Sequence, residues 1–234
     1  MFPLRVTDVK INIKSKRLIG PINLEIEQNG ISILLGANGS GKTTLLEALH
    51  GLRKLSAGKV EWTISHSLAA KEQAFVFQSP IMLRRTVAEN LAFPLKVRRL
   101  SKSTATAEAM AWAKKIGLEN KIKQQAVLLS GGEMQAIAVA RALITKPKML
   151  FLDEPTASLD GVTKKTIEDI LISASRNGTK IVMSTHDLGQ AKRLAKDIIF
   201  LHRGVVEAHC SKEKFLTEPT SKAAKQFLAG DIVL

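Results

Sequence analysis

The chain has 234 residues, of which 45% are hydrophobic and 24% charged, and it holds a single cysteine, Cys210. This is globular composition, which excludes wholesale disorder, and one cysteine excludes an internally stapled secreted fold. Thirty-five Lys and Arg against twenty-one Asp and Glu leave a formal charge of +14, which points to an anionic partner without choosing among nucleic acid, a membrane surface and a phosphate compound.

Near-alternation of apolar residues at Leu4, Val6, Val9, Ile11 and Ile13, and again at Ile22, Leu24 and Ile26, predicts two half-buried strands of an antiparallel sheet. Asn29-Gly30 marks a turn into Ile31–Leu35, a run apolar on both faces, as a central parallel strand requires. A helix is expected over 42–52 and short strands over 58–64 and 74–77. The stretch 79–129 reads as helical: Ala105, Ala109, Trp112 and Ile116 share one helical face behind the cap candidates Ser101 and Ser103. Strands are expected again at 149–152, 181–184 and 198–201 with helices between, and two short helices over 211–234. Strand–helix alternation of this kind implies an α/β unit with a mostly parallel central sheet, an N-terminal antiparallel part and an inserted helical part at about 79–143. No apolar run reaches the roughly 18 residues that span a bilayer, and Met1–Arg5 lacks the apolar stretch of a signal peptide, so a soluble, intracellular chain is expected.

Gly36-Ala37-Asn38-Gly39-Ser40-Gly41-Lys42-Thr43 fits the phosphate-loop pattern G-x-x-x-x-G-K-[ST]. The glycines let backbone N–H groups turn inward around a phosphate chain, and the helix behind adds its positive dipole end. Lys42 is placed to reach β- and γ-phosphates and the Thr43 hydroxyl to ligate Mg²⁺. Met149–Leu152 leads into Asp153-Glu154. A strand end beside a phosphate loop is where a second magnesium contact is needed, which assigns Asp153 to the cation and leaves Glu154 as the general base for an attacking water. Ser130-Gly131-Gly132 at a helix start offers a hydroxyl, bare backbone N–H groups and a dipole end, which make a second anion site. His50, His66, His202 and His209 show no metal-ligand spacing with Cys210, and no structural zinc is expected.

With Leu129-Ser130-Gly131-Gly132-Glu133 in place, the whole chain resembles the nucleotide-binding subunit of an ATP-binding cassette transporter. Gln78 falls at that family's Q-loop, Ser158-Leu159-Asp160 at its D-loop and His186 at its switch histidine. The resemblance implies a P-loop ATP-binding cassette spanning residues 1–234 that uses ATP and Mg²⁺. It implies nucleotide contacts by Gly36, Asn38, Gly39, Ser40, Gly41, Lys42, Thr43 and Thr44, and by Ser130, Gly131, Gly132 and Asp160. Glu154, His186 and Gln78 are implied as catalytic groups, and Thr43, Gln78 and Asp153 as the metal's contacts. A second anion site in one domain makes sense if it caps the γ-phosphate held by another copy, which implies two ATP molecules sandwiched in a two-fold dimer. Membrane permease subunits are expected to dock near Gln78–Arg85, with a substrate-binding protein involved indirectly and no nucleic acid.

Three positions depart from the family pattern. Glu133 stands where glutamine is commonest, Ala136 where an arginine usually follows, and no aromatic lies between Phe2 and Trp62, where a ring normally stacks on adenine. The basic cluster Lys96, Arg98, Arg99 and Lys102 is expected to be a solvated face. A free-standing cassette and the short span from Lys42 to Gln78 suggest an importer, peripheral on the cytoplasmic face of the membrane. The segment Phe77–Arg85 resembles oxyanion importers, tungstate systems most of all. Importers of phosphate, molybdate or amino acids remain alternatives, as do a soluble cassette ATPase acting on nucleic acid and a regulatory module without turnover.

Overall fold

The computed structural model describes residues 1–157 and 159–231. Its elements run β1 (Leu4–Ile13), β2 (Lys16–Ile26), β3 (Ile31–Leu35), α1 (Lys42–His50), β4 (Ala57–Glu61), α2 (His66–Glu72) and β5 (Gln73–Val76). They continue with α3 (Val87–Val97), α4 (Lys102–Lys115), α5 (Gly131–Leu143), β6 (Met149–Asp153), α6 (Gly161–Arg176), β7 (Lys180–Thr185) and α7 (Leu188–Leu194). The chain closes with β8 (Asp197–His202), β9 (Val205–Ser211), α8 (Lys212–Thr217) and α9 (Lys222–Ala229). Strands β2-β1-β4 form an antiparallel sheet, and β5-β6-β7-β3-β8-β9 form the main sheet, parallel except for β9.

The central strands are apolar on both faces because both faces are covered. Ile33, Leu35, Leu150, Leu152, Ile181 and Met183 pack on one side with α5, α6 and α7. Their alternates Leu34, Met149, Phe151 and Val182 pack on the other with α1 and the antiparallel sheet. A separate apolar cluster of α3, α4 and α5, including Val87, Leu91, Ala105, Ala109 and Ile137, holds the helical part together. Burying these side chains, at about 25 cal/mol per Å² of apolar surface, is the main drive for all three layers.

Four expectations shift. Residues 79–86 are irregular, and the helical part starts at Val87. The strand expected over 58–64 ends at Glu61, and α2 and β9 are additional elements. Helix α1 stops at His50 because Gly51 takes a left-handed φ of 90°, a conformation glycine reaches without the Cβ penalty. Arg98 is exposed, as are Lys96, Arg99 and Lys102, and its guanidinium also donates to Thr145 O at 2.9 Å and Lys71 O at 2.8 Å. No helix among the described residues is long and apolar enough to cross a membrane. Ser158 and residues 232–234 lie outside the described residues.

Candidate nucleotide site

Parallel registry brings the functional segments to one end of the sheet. Leu35 at the end of β3 pairs with Thr185 of β7, and Asp153 at the end of β6 pairs with Ser184. The phosphate loop, Glu154 and His186 therefore leave neighbouring strands at their carboxyl ends, where open α/β sheets place ligands. Val76 of β5 pairs with Leu152, so the exposed Gln78, two residues on, emerges at the same end.

The loop's glycines are spatially obligatory. A Cβ on Gly36 would lie 2.2 Å from Leu201 O, and one on Gly41, whose φ is 104°, would lie 2.6 Å from Ile19 Cγ2. Gly41 then caps α1 in the left-handed region and turns the first N–H groups of that helix toward the loop. Lys42 is only 6% exposed, and its ammonium donates to Gly36 O at 3.0 Å and Ala37 O at 3.1 Å, curled inside its own loop. The buried Ser40 Oγ has no partner among the described residues. A buried hydroxyl without a bond costs roughly 1–3 kcal/mol, and a phosphate oxygen in the loop would satisfy it. Thr43 donates to Asp153 Oδ2 at 2.7 Å, and Asp153 Oδ1 accepts from Ser184 at 2.6 Å. Hydroxyl and carboxylate oxygens are hard donors suited to Mg²⁺. Among the described residues no group of three or more His, Cys, Asp and Glu could hold a metal.

Glu154 joins these groups. One carboxylate oxygen lies 3.3 Å from Lys42 Nζ and the other 3.2 Å from His186 Nδ1. Its side chain is 12% exposed, that of His186 50%. Its backbone has a φ of 43°, and its N–H donates to Ser184 Oγ at 2.9 Å. A non-glycine residue in that region is a strained backbone position that its surroundings must hold.

A sequence family described as "ABC transporter" matches residues 19–157. The glutamate transport ATP-binding protein GluA of Corynebacterium efficiens is 32% identical, covering 96% of this chain and 97% of its own. The tungstate uptake system ATP-binding protein TupC of Peptoclostridium acidaminophilum is 37% identical over 87% of this chain and 96% of its own. The phosphate import ATP-binding protein PstB of Campylobacter jejuni is 32% identical over 97% and 98%. The chain belongs to the ABC transporter family. A solved structure titled "Structure of ATP binding subunit of ABC transporter" shares the fold, with a TM-score of 0.82 at 20% identity over 92% of each chain. This ABC subunit is an importer-type ATPase that takes ATP with Mg²⁺ and couples its hydrolysis to transport.

Elsewhere in the subunit, the signature residues take structural roles that the sequence left open. Ser130 caps α5 in a reciprocal box with Glu133: its Oγ accepts from Glu133 N at 3.3 Å, while Glu133 Oε2 accepts from Ser130 N and Oγ at 3.0 Å each. Glu133 also pairs with Lys121, and that bond together with the cap lowers its pKa. The Ser130 hydroxyl is engaged within its own helix, and Glu133 closes the capping box, a role glutamine also fills. Asp160 likewise caps α6, accepting from Val162 N and Thr163 N at 2.9 Å and from Thr163 Oγ1 at 2.7 Å, which lowers its pKa. The two helix starts touch: a Cβ on Gly132 would lie 3.4 Å from Thr163 Cγ2. Among the described residues, no hydrogen bond links Ser130–Gly132 to the phosphate loop of the same chain. Thr44 sits half-buried in the first turn of α1, and Asn38 and Gly39 are exposed at the loop's tip.

Two residues outside any motif organise the segment after Gln78. Asn90, fully buried in α3, accepts from Leu83 N at 3.0 Å and donates to the carbonyls of Leu83, Arg85 and Thr86 at 3.0–3.1 Å. Arg141 of α5 donates to Ile81 O at 2.8 Å. A polar residue in an otherwise apolar stripe is the sequence signal that marks Asn90.

Proposed function

We propose that Glu154 is the general base of this ATPase, with Lys42 holding the phosphates, His186 orienting the reacting end and Thr43, Asp153 and Gln78 serving the cation. The observation that carries this reading is that Lys42 Nζ and His186 Nδ1 each lie within 3.3 Å of the Glu154 carboxylate, on its two different oxygens. In the reaction, water oxygen bonds the γ-phosphorus, the bond to the bridging oxygen breaks, and Glu154 takes the proton released by water. Bound Mg²⁺ supplies neutralisation of charge on the β- and γ-oxygens. Entering phosphates draw Lys42 away from the loop carbonyls and the carboxylate, which frees Glu154 for water. Measuring the Mg²⁺-dependent turnover of Glu154→Gln against the native chain tests the assignment.

Two subunits would face each other with ATP between the phosphate loop of one and Ser130–Gly132 of the other. Leu128, 71% exposed, and Val162, 78% exposed, flank that surface as apolar groups that gain from being covered. Permease would dock in the groove of about 980 Å³ between α3 and the main layer, lined by Ile81, Leu83, Phe93, Val97 and Ala74. The subunit would then sit peripherally on the cytoplasmic face of the membrane, with a substrate-binding protein acting through the permease. The transported species is read as a small anion, tungstate first, on the likeness of the Phe77–Arg85 segment. Phosphate and amino acids fit the relatives' names equally well. ATPase stimulation of the assembled transporter by binding protein loaded with tungstate, phosphate or glutamate decides among them.

A further inference from the structure

We infer that the hydrogen bond from Gln190 to Thr156 is a positioning contact that holds Glu154 and His186 in register, an inference that rests on Glu154 being the base. Glu154 begins a tight turn closed by Ala157 N donating to Glu154 O at 3.2 Å. Its φ of 43° makes that turn costly for a residue with a Cβ, so something outside the turn must hold it. Ser184 holds its near side through the Glu154 N–H. Among the described residues its far side is held two residues on, at Thr156.

Thr156 is 7% exposed and its Oγ1 accepts from Gln190 Nε2 at 2.7 Å. Gln190 is 1% exposed and gives its second amide proton to Glu168 Oε1 at 3.0 Å. Glu168, itself 3% exposed, is gripped by Arg193 in a two-pronged pair, Nε to Oε2 at 3.0 Å and Nη2 to Oε1 at 2.7 Å. These bonds offset the burial of Glu168 and lower its pKa, which keeps it an acceptor. Satisfied buried networks have one good geometry and resist displacement.

Gln190 reaches the histidine as well. Its backbone N–H donates to Asp187 Oδ1 at 2.9 Å, and Asp187 N donates to Thr185 Oγ1 at 3.0 Å. His186 lies between those two residues. One residue therefore braces the turn that aims Glu154 through its side chain and, together with Lys164, which pairs with the other oxygen of Asp187, the turn that aims His186 through its backbone. The 3.2 Å contact between the two groups depends on both turns. A base displaced from its water loses rate more than nucleotide affinity, because the phosphate loop, which binds the nucleotide, is not part of this network.

The test is steady-state ATP hydrolysis by the full chain in four variants. Thr156→Val keeps the shape of the side chain and removes the acceptor; Thr156→Ser keeps the acceptor; Gln190→Met keeps the length and removes both amide protons; the fourth is the Thr156→Val/Gln190→Met double variant. Each is assayed at a temperature where circular dichroism shows it folded. The expected result is that Thr156→Val and Gln190→Met lower kcat about tenfold with KM for ATP within about twofold, that Thr156→Ser stays within about twofold of the native kcat, and that the double variant is no worse than Gln190→Met. Native kcat in Thr156→Val, equal loss in Thr156→Ser, or additive losses in the double variant would each overturn the inference. Glu154→Gln is run alongside: if it turns over normally, the reading of Glu154 falls and this inference with it. If it is dead while Thr156→Val is normal, the positioning role alone is wrong.

Discussion

Lys42 Nζ lies 3.3 Å from Glu154 Oε1, the phosphate-loop cation against the residue assigned as base. The two groups neutralise each other in a nearly dry site, with side-chain exposures of 5% and 12%. ATP must compete with that carboxylate for the ammonium. Replacing Glu154 with Gln removes the competitor and the base together. Glu154→Gln is expected to lower turnover by about 10²–10⁴ while ATP affinity holds or rises, as measured by phosphate release and by nucleotide titration. Lys42→Ala is expected to weaken ATP binding, because it removes the charge-assisted contact with the phosphates.

Assembly is tested with the same variant. In sizing chromatography, Glu154→Gln with ATP and Mg²⁺ is expected to elute as a dimer and, with ADP, as a monomer. Leu128→Asp, at a position 71% exposed, is expected to abolish the dimer without lowering Tm, since nothing in the monomer's core depends on it. A dimer that persists with ADP or survives Leu128→Asp would place the interface elsewhere.

Coupling is read at Ile81. This side chain is 74% exposed in the groove beside α3, whereas Met82, next to it, packs into the core clusters. Ile81→Asp is therefore expected to leave Tm and the basal ATPase unchanged and to remove the stimulation seen with the permease present. The same change at Met82 would cost stability and answer nothing about docking.

The phosphate loop, Asp153-Glu154 and the central strands were legible because each rests on a local rule: glycines where backbone must approach a phosphate, and unbroken apolar runs where a strand is covered on both faces. Strand β9 was not, because its hairpin with β8 turns through Arg203 and Gly204, both at positive φ (46° and 78°), and an arginine there carries no turn signal. Helix α2 buries only Ala69 and so has no apolar stripe to read. The capping role of Glu133 was open to reading, since Ser130 and Glu133 stand at the S-x-x-E spacing of a capping box; the network of Gln190, Glu168 and Arg193 joins segments more than twenty residues apart, which spacing does not reveal.

His50 supplies a pH prediction. It sits edge-on to Phe75 and Phe151, with ring centroids 5.5 and 5.8 Å away, and its Nδ1 is buried without a partner among the described residues. Burial lowers its pKa from 6.5 to about 4. The folded state thus takes up a proton less readily than the unfolded chain, so stability is full above pH 6.5 and falls as pH drops from there toward 4. Thermal melts of His50→Phe, which keeps the aromatic packing, are expected to show a flatter dependence of Tm on pH across that window. An unchanged slope would assign the acid loss to other groups.

The base of the nucleotide is proposed to lie against the β1–β2 hairpin. The β1–β2 hairpin leans on the phosphate loop: Ile19 is the group that leaves no room for a Cβ on Gly41, and Gly20 N donates to Gly204 O at 2.7 Å while Gly204 N donates to Ser40 O at 2.9 Å. Where that hairpin turns, it offers Ile13, 51% exposed, and the exposed Arg17, but no aromatic ring. Stacking on a ring contributes roughly 1–3 kcal/mol per base. An aliphatic side chain covers a base less well, and a guanidinium plane accepts any base face. Neither presents a hydrogen-bond pattern that separates adenine from guanine, and the affinity rests on the triphosphate. GTP is expected to compete within about tenfold of ATP, one decade being about 1.4 kcal/mol, in a titration of ATP, GTP and CTP against a fluorescent nucleotide. Ile13→Trp is expected to tighten binding of all three nucleotides by adding a stacking face, without making the site selective for adenine. A native preference for ATP above a hundredfold would mean that some group other than Ile13 and Arg17 reads the base.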